Sequence, residues 1–170
     1  MQYDTPQPRL TDGIFDRISN STIRLVVTDS PFVRIYVHNA TDFWTIASSA
    51  NLDCNLAVEG IGGLHDDHFP EAADTCYVIY AAWDSTTTVD DGDLGLFAVP
   101  SGTVVNAALL AALTDGGAPA AYDCWSLPIG MAANDALNIR AFFYTHPGRF
   151  TFGDEFVMLN GGQSARWHKC

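Results

Sequence analysis

Positive charge is scarce in this chain: eight Lys and Arg stand against twenty Asp and Glu in 170 residues, a formal net charge of −12. A groove tracking a phosphate backbone, or a polybasic patch on an anionic bilayer, needs the opposite balance, so neither nucleic acid nor a membrane is an expected partner. Long apolar runs are missing as well. The most apolar stretch, VVNAALLAAL at 104–113, is about half of what a spanning helix requires. The opening residues MQYDTPQPRLTDG show no basic cluster, apolar core or small-residue cleavage site, so they do not read as a secretion signal, and synthesis in a cytoplasm is expected.

No CxxC pair occurs. Cys54, Cys76, Cys124 and Cys170 lie far apart, which argues against a zinc ribbon or a redox motif. The first three fall in strand-like runs and are expected as buried free thiols that behave as small hydrophobes. Nor is there a Gly-x-Ser-x-Gly elbow, a Cys–His couple or a close carboxylate pair in apolar surroundings; Asp66-Asp67 and Asp90-Asp91 sit in polar loops. No catalytic residue and no cofactor is assigned, and the chain is not expected to be an enzyme.

With 48% hydrophobic residues and no break in composition, the chain can bury one substantial core. The plainest local signal is LDCNLAVEGIGGLHDDHFPEAADTCYVIYAAW, residues 52–83, which reads as strand, glycine loop, acidic turn, strand. Leu52, Cys54, Leu56 and Val58 alternate with Asp53, Asn55 and Glu59, the period of a sheet with one wet face. From Cys76 to Trp83 both faces are apolar, so that strand is expected to be covered twice, by its own core and by the helix or a neighbouring subunit.

Elsewhere TIRLVV and VRIYVH, separated by Thr28-Asp29-Ser30-Pro31, suggest an antiparallel hairpin, and FWTIA follows a turn at 39–42. LGLFAV closes a long hairpin connection rich in aspartate. Val104 to Leu113 is the one expected helix, with Ser101 or Thr103 as its cap and Asp115-Gly116-Gly117 as its stop. Tyr122–Ile129 and Leu137–Tyr144 give further strands with 130–135 as their connection, and RFTF and EFVML complete the series. Roughly nine strand-like runs and one helix indicate an all-β, mainly antiparallel fold, a β-sandwich or jelly-roll-like body with a short helix inserted near 104–113. The expected layout is an extended arm at 1–20, one β-sandwich domain at 21–160 and a polar tail at 161–170.

The wording of the central loop resembles a module recurrent in tailed-bacteriophage fibre and virion surface proteins: Gly-Gly-Leu-Asp, a Glu-Ala pair, a Trp/Tyr-rich strand, and later a strand ending in Ile-Gly. Here the positions are Gly62, Gly63, Leu64, Asp66, Glu71, Ala72, Tyr77, Tyr80, Ile129 and Gly130, and the resemblance extends from Trp44 to Phe152. Cys76 stands where the module usually has tryptophan, His65 precedes the aspartate, and the helix is extra. The resemblance implies a structural protein of the virion: an accessory capsid decoration or head-fibre protein, or a small tail component. It further implies assembly with itself, most simply as a homotrimer, and with major capsid or tail proteins inside the host bacterium. A host-surface glycan is the alternative partner, with Trp44, Trp83, Trp125, Tyr36, Tyr77, Tyr80 and Tyr122 as candidate stacking rings, and hydrolysis of such a glycan the remote third reading.

Two clusters have metal-ligand chemistry. His65, Asp66 and His68 offer imidazole and carboxylate donors suited to zinc, although neighbours in one short loop rarely converge on one ion. Asp90, Asp91 and Asp93, with Asp84, offer calcium-type oxygens without the EF-hand order. A solvated turn, with Asp66 accepting loop amides, and a wet hairpin tip are the simpler expectations, and no metal is assigned.

Overall fold

The computed structural model describes residues 10–11, 13–27, 32–87, 94–135, 138–146 and 149–152. The protein is all-β with one short helix, as its patterning requires. Its strands in chain order are β1 (Leu10–Thr11), β2 (Gly13–Arg17), β3 (Thr22–Val27), β4 (Val33–His38), β5 (Phe43–Ser48), β6 (Leu52–Glu59), β7 (Gly63–Leu64), β8 (Cys76–Trp83) and β9 (Leu94–Pro100). After the helix α1 (Ala107–Ala111) come β10 (Thr114–Asp115), β11 (Ala118–Pro119), β12 (Cys124–Ser126), β13 (Gly130–Asp135), β14 (Asn138–His146) and β15 (Arg149–Phe152).

One continuous hydrogen-bonded sheet holds every strand but β10 and β11, which pair with each other, and it curls into a half-barrel in the order β5-β4-β12-β8-β9-β7-β6-β3-β2. Pairings are antiparallel except β6 with β7 and β7 with β9. The sheet branches at β8. Cys124 and Trp125 of β12 pair with its end at Trp83 and Ala82, whereas Gly130–Ala133 of β13 pair with Ile79–Cys76. Between them lies Leu127-Pro128, and a proline offers no N–H to a ladder, so pairing stops there and β12 runs on to β4 while β13 runs on to β14. The segment 130–135, expected as a connection, is therefore a strand.

β3 and β4 do not form the expected hairpin. β3 pairs with β2 and β6, and β4 with β5, β1 and β12. Alternation specifies a strand's buried face but not its partner, and tighter turns win locally. Asn39 Oδ1 accepts the N–H groups of Thr41 and Asp42 at 2.9 Å, closing the β4–β5 turn as an Asx motif. The segment expected as an arm is in part sheet: β1 pairs with β4, β2 with β3, and Phe15 is buried. The helix is shorter than expected and is capped by Asn106, whose side chain accepts the Leu109 N–H at 3.0 Å, not by Ser101 or Thr103.

Two apolar clusters result. The larger fills the concavity and includes Ile23, Leu25, Ile35, Ile46, Leu56, Tyr77, Ile79, Trp83 and Leu96. The smaller lies on the opposite face of β8–β9, where Ala82, Phe97 and Val99 meet Leu110 and Leu113. The double cover expected for the Cys76–Trp83 strand is thus supplied on its second face by the helix at Tyr80 and Ala82. Cys54 and Cys124 are buried free thiols. Cys76 departs from that expectation, being disulfide-bonded. EFVML lies outside the described residues.

Candidate functional site

The glycine loop folds into a hook between β6 and β9. The Gly60 N–H reaches Leu64 O at 2.8 Å, Gly62 donates to Leu96 O at 2.6 Å, and Gly62 O accepts from Asn55 N at 2.7 Å. Glycine is required at two of these positions. A Cβ on Gly63 would lie 2.1 Å from Val58 O, and Gly60, at φ +87°, would drive one to 2.4 Å from Thr114 O. This close approach threads β7 in parallel between β6 and β9 and delivers His65 to the base of the helix.

His65 is completely buried rather than solvated. Its Nδ1 accepts the Asp67 N–H at 3.2 Å, which leaves Nε2 as the donor to Leu109 O at 2.8 Å. Asp66 accepts not from its own loop but from Thr114, forty-eight residues on: the N–H at 2.9 Å and the hydroxyl on the second oxygen. Imidazole and carboxylate are both consumed in tying the turn at Asp66–His68 to the middle of α1 at Leu109 and to Thr114 just beyond its C-terminal end. His68 lies beside His65, ring centroids 5.9 Å apart. Burial, then the neighbouring His65, lowers its pKa, and Asp67 only partly opposes this. Among the described residues no three His, Cys, Asp or Glu side chains are grouped as metal ligands.

The remaining motif positions are braces too. Glu71 accepts from Asn134 Nδ2 at 3.1 Å, and Asn134 Oδ1 accepts the Thr75 N–H at 3.3 Å. The Tyr77 hydroxyl, on a buried ring, accepts the Ala72 N–H at 2.6 Å, and burial raises its pKa. Tyr80 stacks on Phe97 at 5.6 Å beneath the helix cluster. Ile129 donates to Ile79 O at 3.0 Å, and Gly130 pairs with both Ile79 and Tyr144. Leu64 is in the main core. Thr114 and Asn134, which complete these contacts, carry no sequence signal because their partners are distant in the chain.

At the described start of the acidic connection, carboxylates accept from backbone and hydroxyl groups. Asp84 Oδ1 accepts the N–H of Thr86 at 2.9 Å and its hydroxyl at 2.7 Å, and Asp123 accepts the Ser85 N–H at 2.8 Å and hydroxyl at 2.6 Å. Burial would raise the Asp123 pKa, but these bonds outweigh it and the net shift is downward. Asp90, Asp91 and Asp93 lie outside the described residues. Burial pushes the thiols of Cys54 and Cys124 up to about 12, so neither is a nucleophile at neutral pH.

The candidate stacking rings have divided fates. Trp83 and Tyr77 are core, Trp44 packs on Trp83 at 5.5 Å, Tyr80 and Tyr122 pack on the helix cluster, and Tyr36 is half-buried. Trp125 belongs to a row that sequence reasoning missed. On neighbouring strands Phe43 stands opposite His38 and His38 opposite Trp125, with ring centroids 5.8 and 4.9 Å apart. Phe43 is 83% exposed at the margin of that row. The chain matches no family model, no curated protein and no solved structure.

Proposed function

We propose that this chain is a structural component of a tailed-bacteriophage-type particle, an accessory decoration or head-fibre protein or a small tail component, working by assembly rather than turnover. One observation supports the reading above others: the side chains with the greatest chemical capacity, His65 and Asp66, have their donor and acceptor atoms spent on backbone and Thr114. The positions that carry the phage-module resemblance hold a hook and its braces, as a rigid fitted part requires. Its partners in this reading are copies of itself and major capsid or tail proteins, and its place is the virion assembled in the bacterial cytoplasm. The test is to express the tagged chain in a host producing the particles and to separate them on a density gradient. Co-sedimentation with intact particles at a fixed stoichiometry is expected; a chain that stays wholly at the top of the gradient overturns the reading.

A second reading, attachment to host-surface glycan, is favoured by the row Phe43–His38–Trp125, where an exposed Phe43 adjoins two half-buried rings on neighbouring strands and offers an aromatic edge to a sugar face. Glycan-array signal that disappears in Phe43→Ala and Trp125→Ala would select it. Binding to particles alone would select assembly.

A further inference from the structure

We infer that β5 is a self-pairing edge, through which two copies of this chain join antiparallel about a two-fold axis to make one continuous sheet. The inference stands apart from the particle reading, since such a pair can form whatever the pair is used for. It begins from a contrast between the terminal strands of the sheet path. β2 ends the path with Asp16 and Arg17 in its five residues, the charged residues that natural edges use to repel a second strand. β5, at the other end, is FWTIAS: six residues with no charge, no proline and an unbroken register against β4, in a chain whose net charge is −12. Among the described residues β5 pairs with β4 alone, so its outer row of backbone donors and acceptors forms no ladder with any described strand. Among the described residues the most exposed large hydrophobic side chain, Phe43, belongs to this strand.

Register follows from chemistry. A two-fold perpendicular to the sheet keeps each copy's outer face on the same side, so opposed residues must match in parity, odd with odd and even with even. Centred on Thr45, the pairs are Thr45 with Thr45, Phe43 with Ala47, and Trp44 with Ile46. Outer residues thereby meet outer and core-side residues meet core-side. From Phe43 to Ala47 every pair is then apolar or Thr–Thr, combinations that favour cross-strand association, and Ser48 meets the polar Asp42. Centring on Ile46 instead sets Phe43 against Ser49 and Trp44 against Ser48, and centring on Trp44 sets Asp42 against Ile46. The Thr45-centred register alone covers Phe43 and sets no polar side chain against an apolar one.

The directly opposed pair makes this testable, because Cβ atoms there lie about 4.5–5.5 Å apart, near disulfide reach. Full-length protein at tens of micromolar should show by light scattering a mass of twice 18.4 kDa or an even multiple of it. Thr45→Cys should give a reducible covalent dimer under mild oxidant, whereas Val58→Cys, exposed but on the interior strand β6, should not. Thr45→Lys, at an exposed site, should return the protein to 18.4 kDa with an unchanged circular-dichroism spectrum. A wild type monomeric at every concentration overturns the inference, and so does a trimer or other assembly in which Thr45→Cys remains uncrosslinked and Thr45→Lys changes nothing.

Discussion

The two faces of the β8–β9 pair are covered by different means. On the concave side Tyr77, Ile79, Ala81 and Trp83 meet residues from most of the sheet, and the cover is a broad apolar core. On the convex side Ala82, Phe97 and Val99 are covered chiefly by Leu110 and Leu113 at a five-residue helix. A helix that short has no stability of its own. It is held by point contacts: Asn106 at its start, His65 on the Leu109 carbonyl, and Asp66 on Thr114 just beyond its end. One face rests on area and the other on a few polar braces, so damage should spread on the first and stay local on the second.

The largest test of that contrast is Trp83→Ala. Trp83 is 1% exposed, and its loss should cost about 3–5 kcal/mol with a cooperative drop in the urea midpoint. Leu110→Ala comes next. It empties a fully buried site under the helix and should cost about 2–4 kcal/mol, felt first by the outer cover. His65→Ala leaves the Asp67 N–H without a partner and the Leu109 carbonyl with only the Ala112 N–H, at about 1–3 kcal/mol. Hydrogen exchange should then accelerate at Leu110 and Ala112 while Ile23, Leu25 and Cys54 keep their protection; equal acceleration at both sets would break the contrast.

The smallest effect is in pH. Because the His68 pKa is lowered in the fold, its stabilising contribution is complete above the ordinary value of 6.5 and is lost as pH falls through the lowered one. The Asp53 carboxylate is held below its ordinary 3.8 by the hydrogen bonds from Arg24, against the opposing effect of partial burial, so its contribution is complete above 3.8 and is lost at more acid pH. His68→Gln should flatten the thermal-midpoint curve just below pH 6.5 and leave the more acid decline in place.

Much of the fold could be read along the chain. Alternation at 52–58 and the doubly apolar run at 76–83 correctly marked strands, and the alanine- and leucine-rich run near 104–113 marked the helix. These signals are local, set by side-chain period over a few residues. Partner choice was not legible: β3 and β4 have the pattern of a hairpin, yet each pairs elsewhere because closer turns bring other strands to hand. The braces were equally invisible. His65-Asp66-Asp67-His68 reads as a wet metal-like loop in sequence, and only the hook of Gly60–Gly63 carries it inward to Leu109 and Thr114. Cys76 gave no sign of being bonded, since the pattern of a strand says nothing of what a thiol meets.

By itself the sequence determined an acidic, all-β chain with one short helix and a glycine loop whose close backbone approaches only glycine allows, because charge balance, side-chain period and φ preference are properties of neighbouring residues. The tertiary structure alone decided that the second greasy face is covered from within, that histidine and aspartate serve as struts, and that β5 is left at an edge with Phe43 in solvent. Those outcomes depend on which distant segments meet, and the cost of burying a polar group or leaving an edge open is set only once its partners are in place.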